Sequence, residues 1–148
     1  MKHLQISVIF IFVLFVQACG HKGHEHVAIT PELEQAYVIH NQSLDLREEI
    51  MDLEKKLKEE EIDYSLLKDA LKTWDKDIIE VPGFEHSHDD EHQRKYHVHN
   101  PSKPFSDVEH LEYQKMMHEE IVGIHEKMNR LLSKEIMETS ESEGESAE

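Results

Sequence analysis

A long stretch without helix-breaking residues is the feature that most constrains the fold of this chain. No glycine or proline occurs between Pro31 and Pro82, and none occurs between Pro104 and Gly123. Because both residues destabilise a helix interior, their absence over such lengths favours α-helix. Apolar side chains recur there three or four residues apart, the spacing of a packed helix face. No segment has a convincing strand pattern, so we expect an all-α protein.

The predicted first helix has a clear beginning and a less clear end. Thr30 is an N-cap residue, Pro31 takes the first helical position, and acidic residues follow in the first turn. Its apolar stripe consists of Leu33, Tyr37, His40 and Leu44, continued by Leu46, Ile50, Leu53 and Leu57. The three glutamates at 59–61 fall where the stripe should continue, and they predict a turn. A single unbroken helix from Thr30 to Ile79 is the alternative.

The second predicted helix follows that turn. Asp63 is its expected cap, and Ile62 and Leu67 have the spacing of a hydrophobic staple. We expect the helix to stop at Pro82 and Gly83. The side chains that it should bury are Leu67, Leu71, Trp74 and Ile78, with Ala70 alongside.

The third predicted helix opens with Ser106 and Glu109, which form a capping box. Its apolar positions are Val108, Leu111, Tyr113, Met117, Ile121, Ile124, Met128, Leu131, Leu132 and Ile136. The acidic, serine-rich tail at 139–148 is expected to be disordered. The predicted fold is an antiparallel, up-down-up three-helix bundle over 30–138, with a long His-rich loop at 81–105 between helices 2 and 3.

The first eighteen residues have the pattern of a lipoprotein signal peptide. Lys2 precedes an apolar run at 4–16, which is too short to span a bilayer as a helix. Ala18 before the only cysteine, Cys19, resembles a bacterial lipobox, in which Cys19 is acylated. Residues 19–29 are then a linker to outer-membrane lipid, and the protein faces the periplasm, with surface exposure an open alternative. An ordinary signal peptide with an unrelated cysteine and an uncleaved anchor are the other interpretations.

The net charge of the chain narrows the classes of partner that it can bind. The chain has 32 acidic and 16 basic residues, and its formal net charge is −16. Such a surface disfavours nucleic acid and attracts cations, although solubility alone also explains it. No nucleophile elbow, phosphate loop or dinucleotide fingerprint occurs, so we do not expect an enzyme.

A dense group of histidines between Pro82 and Pro104 carries the functional hypothesis. Neutral imidazole is the commonest protein ligand for borderline divalent metals, and carboxylates complete such shells. Zinc is therefore the first expectation, and nickel or copper(II) the next. The candidate ligands are His86, His88, His92, His97 and His99, with Asp89, Asp90 and Glu91 between them. Alternate residues in extended backbone point the same way, so the His86/His88 and His97/His99 pairs could each present two imidazoles to one ion.

A second group, His21, His24 and His26, follows the lipidation site and supplies auxiliary ligands. In a bundle of three helices it lies at the same end as the loop. With one long first helix the two groups lie at opposite ends. A solvated spacer that binds metal only incidentally, and pH sensing by clustered histidines, are the alternatives for the loop.

The remaining histidines lie on predicted helices. His40 falls on the apolar stripe, where a hydrogen-bonded core or boundary residue is the favoured interpretation. His118 and His125 share a face, and Asp107 with His110 forms one half of a helix-borne metal pair. The pattern of di-iron bundles is not repeated.

The segment from Trp74 to His86, which includes Ile79-Glu80-Val81-Pro82-Gly83-Phe84-Glu85-His86, leads into the His-rich loop. Together with the lipobox and the flanking helices, it resembles small helical lipoproteins of Bacteroidota, some of which carry the name "viral A-type inclusion protein". The resemblance implies a lipid-anchored helical bundle with a His-rich loop, and it implies no activity.

The sequence therefore predicts a lipid-anchored envelope protein that binds divalent metal for sequestration, buffering or delivery to an envelope transporter. The alternative is a structural or adaptor lipoprotein whose helices bind a protein partner. A homodimer is an open alternative to a monomer, because helices of uneven length can leave part of a stripe uncovered.

Overall fold

The computed structural model describes residues 28–85 and 94–145, with side chains up to residue 134. It contains three helices: α1 (Pro31–Glu59), α2 (Ser65–Asp77) and α3 (Asp107–Glu145). The described part of the chain has no strand, so the prediction of an all-α protein is confirmed. α1 and α3 pack closely against each other.

The beginning of α1 and the break after it follow from local sequence. The Thr30 hydroxyl accepts the Leu33 N–H at 3.3 Å, and Pro31 begins the helix. The helix ends at Glu59, and Glu61 has a φ of 56°, which turns the chain away from the helical direction. The alternative of one unbroken helix from Thr30 to Ile79 is therefore wrong.

α2 begins at Ser65 with Tyr64, not the predicted Asp63, in the N-cap position, and it ends early. The Asp63 carboxylate accepts the Ser65 N–H at 2.9 Å. The helix stops at Asp77, well before the predicted end at Pro82 and Gly83. A distant side chain explains the difference, since the Asn100 amide donates to the carbonyls of Asp75 and Ile78 at 3.0 and 2.8 Å. These bonds satisfy carbonyl groups that the end of a helix leaves unpaired.

α3 starts with the predicted capping box. The Glu109 carboxylate accepts the Ser106 N–H at 2.7 Å, and the Ser106 hydroxyl accepts the Glu109 N–H at 3.4 Å. The Ser106 hydroxyl also donates to the Glu109 carboxylate at 2.7 Å, and the bonds from the Ser106 N–H and hydroxyl lower the pKa of the Glu109 carboxyl. At its other end α3 runs to Glu145, whereas the sequence predicts disorder from Thr139. Adding residues to an existing helix costs far less than starting one, and no proline interrupts the tail.

The main core lies between the three helices. Trp74 is 1 % exposed, as expected for a core anchor, and its indole N–H donates to the Met117 carbonyl at 2.7 Å. Other buried members are Leu44, Ile50, Leu53, Leu57, Leu71, Ile78, Ile121, Ile124 and Met128. Two expectations for the core were wrong, because Ala70 and Val108 are exposed. Side chains that are only partly buried include Tyr37, Leu46, Leu67, Tyr113, Leu131 and Leu132.

A second, smaller core forms near the beginnings of α1 and α3. Leu33, Ala36, Leu111 and Val81 are its buried members, and Phe84 packs against it. Val81 and Phe84 come from the chain that follows α2. This cluster therefore fixes the start of the loop against α1.

Candidate functional site

A cavity of about 400 Å³ lies between α1 and the connection from α2 to α3. We call it the loop cavity, and we call residues 78–85 the incoming arm and residues 94–106 the outgoing arm. α1 contributes Tyr37, His40, Asn41 and Leu44, while the arms contribute Glu80, Phe84, Glu85, Arg94, His97 and Val98. Glu85 and Arg94, the described residues on either side of 86–93, thus both line the cavity.

The incoming arm is held by packing. Val81 is 1 % exposed, and the Phe84 ring stacks on Tyr37 with 4.3 Å between ring centroids. Between them Gly83 has a φ of 81°, which glycine adopts without steric cost. The Gly83 N–H also donates to the Glu85 carboxylate at 3.1 Å. These contacts fix the position of Glu85 before the chain enters the His-rich segment.

The outgoing arm is held by carboxylates of α1. The Arg94 guanidinium bonds to Asp45 at 2.7 Å. The backbone N–H groups of Lys95 and Tyr96 both donate to the Glu48 carboxylate, at 3.0 and 3.4 Å. The arm is therefore attached to the helix directly after it leaves the His-rich segment.

Asp75 of α2 ties the outgoing arm to α1. Its carboxylate accepts two bonds from the Arg47 guanidinium, at 2.8 and 3.1 Å, and one from the Tyr96 hydroxyl at 2.7 Å. Arg47 also lies 4.9 Å from the centre of the Tyr96 ring. Burial opposes the charge on Arg47, but the bonds that it donates to Asp75, together with the charges of Asp75 and Glu54, outweigh burial and raise the pKa of the guanidinium. Burial, together with the Asp75 carboxylate, raises the pKa of the Tyr96 phenol.

Of the predicted metal ligands, the structure describes only His97 and His99. Val98 between them is 4 % exposed, while His97 is half-buried in the loop cavity and His99 is exposed. The others lie outside the described residues: His21, His24, His26, His86, His88, Asp89, Asp90, Glu91 and His92, as does Cys19. Within residues 28–85 and 94–134, no group of three or more histidine, cysteine or acidic side chains is arranged to hold a metal ion.

His40 is the functional candidate that the sequence reasoning set aside. It is 6 % exposed, and its Nδ1 lies 3.2 Å from the Gln114 side-chain oxygen, as expected for a hydrogen-bonded core histidine. Burial lowers the pKa of its imidazole below the ordinary value, and the Arg94 charge acts in the same direction. The ring is therefore neutral near pH 7. Its place on the loop cavity could not be seen from the sequence, which shows only a polar residue on an apolar stripe.

The other helical histidines are engaged in contacts between or within elements. His118 Nδ1 lies 3.1 Å from the Ser43 hydroxyl, and His125 Nε2 lies 3.1 Å from the Glu49 carboxylate. Asp107 and His110 are also engaged separately. The Asp107 carboxylate accepts the Thr30 hydroxyl at 2.9 Å, whereas His110 Nε2 donates to the Lys103 carbonyl at 3.0 Å.

A second, more open cavity of about 500 Å³ lies beside the start of α2. We call it the Leu66 groove, after a side chain that is 85 % exposed. Its lining combines apolar and charged residues, and Arg130 is paired with Glu126 at 3.3 Å. The apolar members are Leu66, Leu67 and Leu131, the basic ones are Lys127, Arg130 and Lys134, and the acidic one is Asp63. It is a local basic surface on a strongly acidic chain.

Comparison with known proteins adds no relative. Among the described helices, none is both long and apolar enough to cross a bilayer. The lipoprotein resemblance stays a prediction. No protein family, no curated protein and no solved structure matches this chain.

Proposed function

We propose that this is a lipid-anchored envelope protein that binds a divalent transition metal through its His-rich loop. One observation carries the proposal. Glu85 and Arg94, which flank segment 86–93, line a single cavity that His97 also lines. The arms on either side of the segment are fixed to the bundle. A loop with both ends held loses less freedom on binding an ion than a free chain does, which favours affinity.

We also propose that the helices run up, down and up. Contacts between α1 and α3 follow the same order along both helices, which parallel helices require. The pairs are Thr30 with Asp107, His40 with Gln114, Ser43 with His118, and Glu49 with His125. The loop cavity then lies near the Thr30 end of the bundle. With acylated Cys19 as the anchor, His21, His24 and His26 join the loop histidines in one region close to the lipid.

The chemistry of the candidate ligands favours zinc, followed by nickel or copper(II). Imidazole nitrogens and carboxylates suit these ions, whereas copper(I) prefers sulfur ligands. The net charge of −16 also concentrates cations at the surface. Sequestration, buffering or delivery to an envelope transporter is the proposed role.

Zinc-dependent stability of the full-length chain in detergent tests this proposal. Because both arms belong to the folded core, zinc bound by the loop should raise the free energy of unfolding by about 2.7 kcal/mol when free zinc is about a hundred times Kd. Changing His86, His88, His92, His97 and His99 together to Asn should abolish the gain. Magnesium, which prefers oxygen ligands, is the control ion and should give none. An equal gain from zinc in the five-residue variant would contradict the proposal.

The second candidate function is that of a structural or adaptor lipoprotein. The Leu66 groove favours it, since a surface with apolar and basic side chains suits an acidic amphipathic partner. The other exposed large apolar side chains are spread over the described helices and form no stripe on one of them; they include Val38, Met51, Val108 and Met116. Leu66→Asp should abolish partner binding under this alternative and leave zinc binding unchanged.

A further inference from the structure

Gln114 fixes the protonated nitrogen of His40. The Gln114 side-chain amide donates through Nε2 to the Ile79 carbonyl at 2.9 Å, and a carbonyl can only accept. The amide oxygen of Gln114 therefore faces His40, where it accepts a hydrogen bond from Nδ1–H. In a neutral imidazole one ring nitrogen carries the proton and the other accepts, so with the proton on Nδ1 the Nε2 atom is unprotonated. That atom is left with a free lone pair.

The Nε2 atom of His40 is available to the loop cavity. His40 is only 6 % exposed, yet it is one of the residues that line the loop cavity. Gln114 is the only hydrogen-bond partner of the ring among the described residues. His40 is thus a residue of the cavity wall whose Nε2 atom takes part in no hydrogen bond among the described residues.

This arrangement is the one that proteins use to prepare a histidine ligand. A metal-binding histidine usually donates its other ring N–H to a fixed acceptor, which selects the tautomer and orients the ring. Gln114, which is fully buried and bonded at both ends of its amide, is such an acceptor for His40. His97, a candidate ligand in its own right, lines the same cavity.

We propose that His40 of α1 is a metal ligand, and that its Nε2 atom binds a divalent transition ion in the loop cavity. The proposal rests on the proposed function and adds to it a ligand supplied by the folded bundle. Such a ligand places the ion against α1 and couples metal binding to the packing of α1 on α3. Gln114 is then a positioning residue for the site.

Competition between the full-length protein and a chromogenic zinc chelator tests the ligand role. His40→Gln should weaken zinc binding at least about tenfold, the lower end of what disturbing a metal site costs. His118→Gln is the matched control, because His118 also packs between α1 and α3 through a hydrogen bond but does not line the loop cavity. It should change the affinity less than about twofold. Equal affinities of the His40→Gln variant and the unsubstituted protein would overturn the inference.

Imidazole ¹⁵N resonances of the unsubstituted protein provide a test that needs no variant. Without metal, His40 should show a protonated Nδ1 and an unprotonated Nε2. Zinc should shift the Nε2 resonance as the lone pair binds the ion, and leave Nδ1 protonated. If Nε2 does not shift while loop histidines do, His40 is not a ligand and the proposed function stands. If no histidine shifts at saturating zinc, both proposals fail.

Discussion

At the scale of single residues, the buried pair of Gln114 and His40 is the clearest polar element of the helix interface. Replacing Gln114 with Leu leaves the Ile79 carbonyl and the His40 N–H without partners. Since an unsatisfied buried group costs about 1–3 kcal/mol, the free energy of unfolding should fall by at least that amount. Urea denaturation measures this decrease in the free energy of unfolding. Gln42→Leu, at an exposed position of α1, is the control and should change stability by less than about 0.5 kcal/mol.

The burial of His40 predicts that the free energy of unfolding depends on pH. Burial lowers the pKa of folded His40 below the ordinary value of 6.5, so the unfolded chain takes up this proton first. As the pH falls through 6.5 the unfolded state binds more protons, and the free energy of unfolding decreases by up to about 1.4 kcal/mol per pH unit. Glu80, Glu85, Arg94 and His97 border the same cavity and add their own charges.

Urea denaturation in the presence of a chelator, between about pH 7.5 and about pH 5.5, isolates this contribution. His40→Gln should make the decline shallower, whereas Gln42→Leu, which removes no titratable group from an exposed position, should leave its slope unchanged. Parallel declines of the His40→Gln variant and the unsubstituted protein would show that His40 is not kept neutral by burial.

At the scale of elements, Asp75 joins α1, α2 and the outgoing arm. Arg47 is 9 % exposed, and Asp75→Asn removes the nearer of its two paired carboxylates, leaving Glu54 at 3.6 Å. Removing one partner of a largely buried ion pair costs on the order of 3 kcal/mol. The Tyr96 contact is also weakened, so the loop should become more sensitive to a protease. Asp69→Asn, on the exposed side of the same helix, loses only a pair with Lys72. It should neither lower the free energy of unfolding by this amount nor make the loop more sensitive to a protease.

At the junction between α1 and α2, glycine substitutions at two neighbouring positions should change the stability in opposite directions. Glu61 has a φ of 56°, a left-handed conformation that is costly for any residue with a Cβ atom. Glu61→Gly should therefore stabilise the fold by up to about 1 kcal/mol. Glu60→Gly, where φ is −88°, should destabilise it by up to about 1 kcal/mol. Changes of equal sign in urea denaturation would contradict this account of the turn.

The predicted beginnings of α1 and α3 agree with the structure because their signals are local. Thr30 and the Ser106–Glu109 pair bond to groups within three residues of themselves. The end of α2 depends instead on Asn100, more than twenty residues away, and no local pattern reveals that contact. The exposure of Val108 has a similar origin. Apolar spacing identifies a helix face, but the neighbouring elements decide which of its edges is covered.

At the scale of the whole molecule, the sequence predicts a metal-binding composition but not a site. The density of histidines is visible in the chain itself. That both arms of the loop pack on α1, and that they form a cavity with His40, depends on contacts between distant residues such as Phe84 with Tyr37 and Arg94 with Asp45. The central claim is therefore that the folded bundle converts a His-rich segment into a defined site.

Calorimetric titration of the full-length chain with zinc tests that claim most directly. The comparison is a variant in which His86, His88, His92, His97 and His99 are changed to Asn. We predict about one or two ions bound with a Kd below about 1 µM, or roughly −8 kcal/mol, and loss of this binding in the variant. Weak binding of many ions, or tight binding that survives in the variant, would contradict the claim and leave the loop as a spacer.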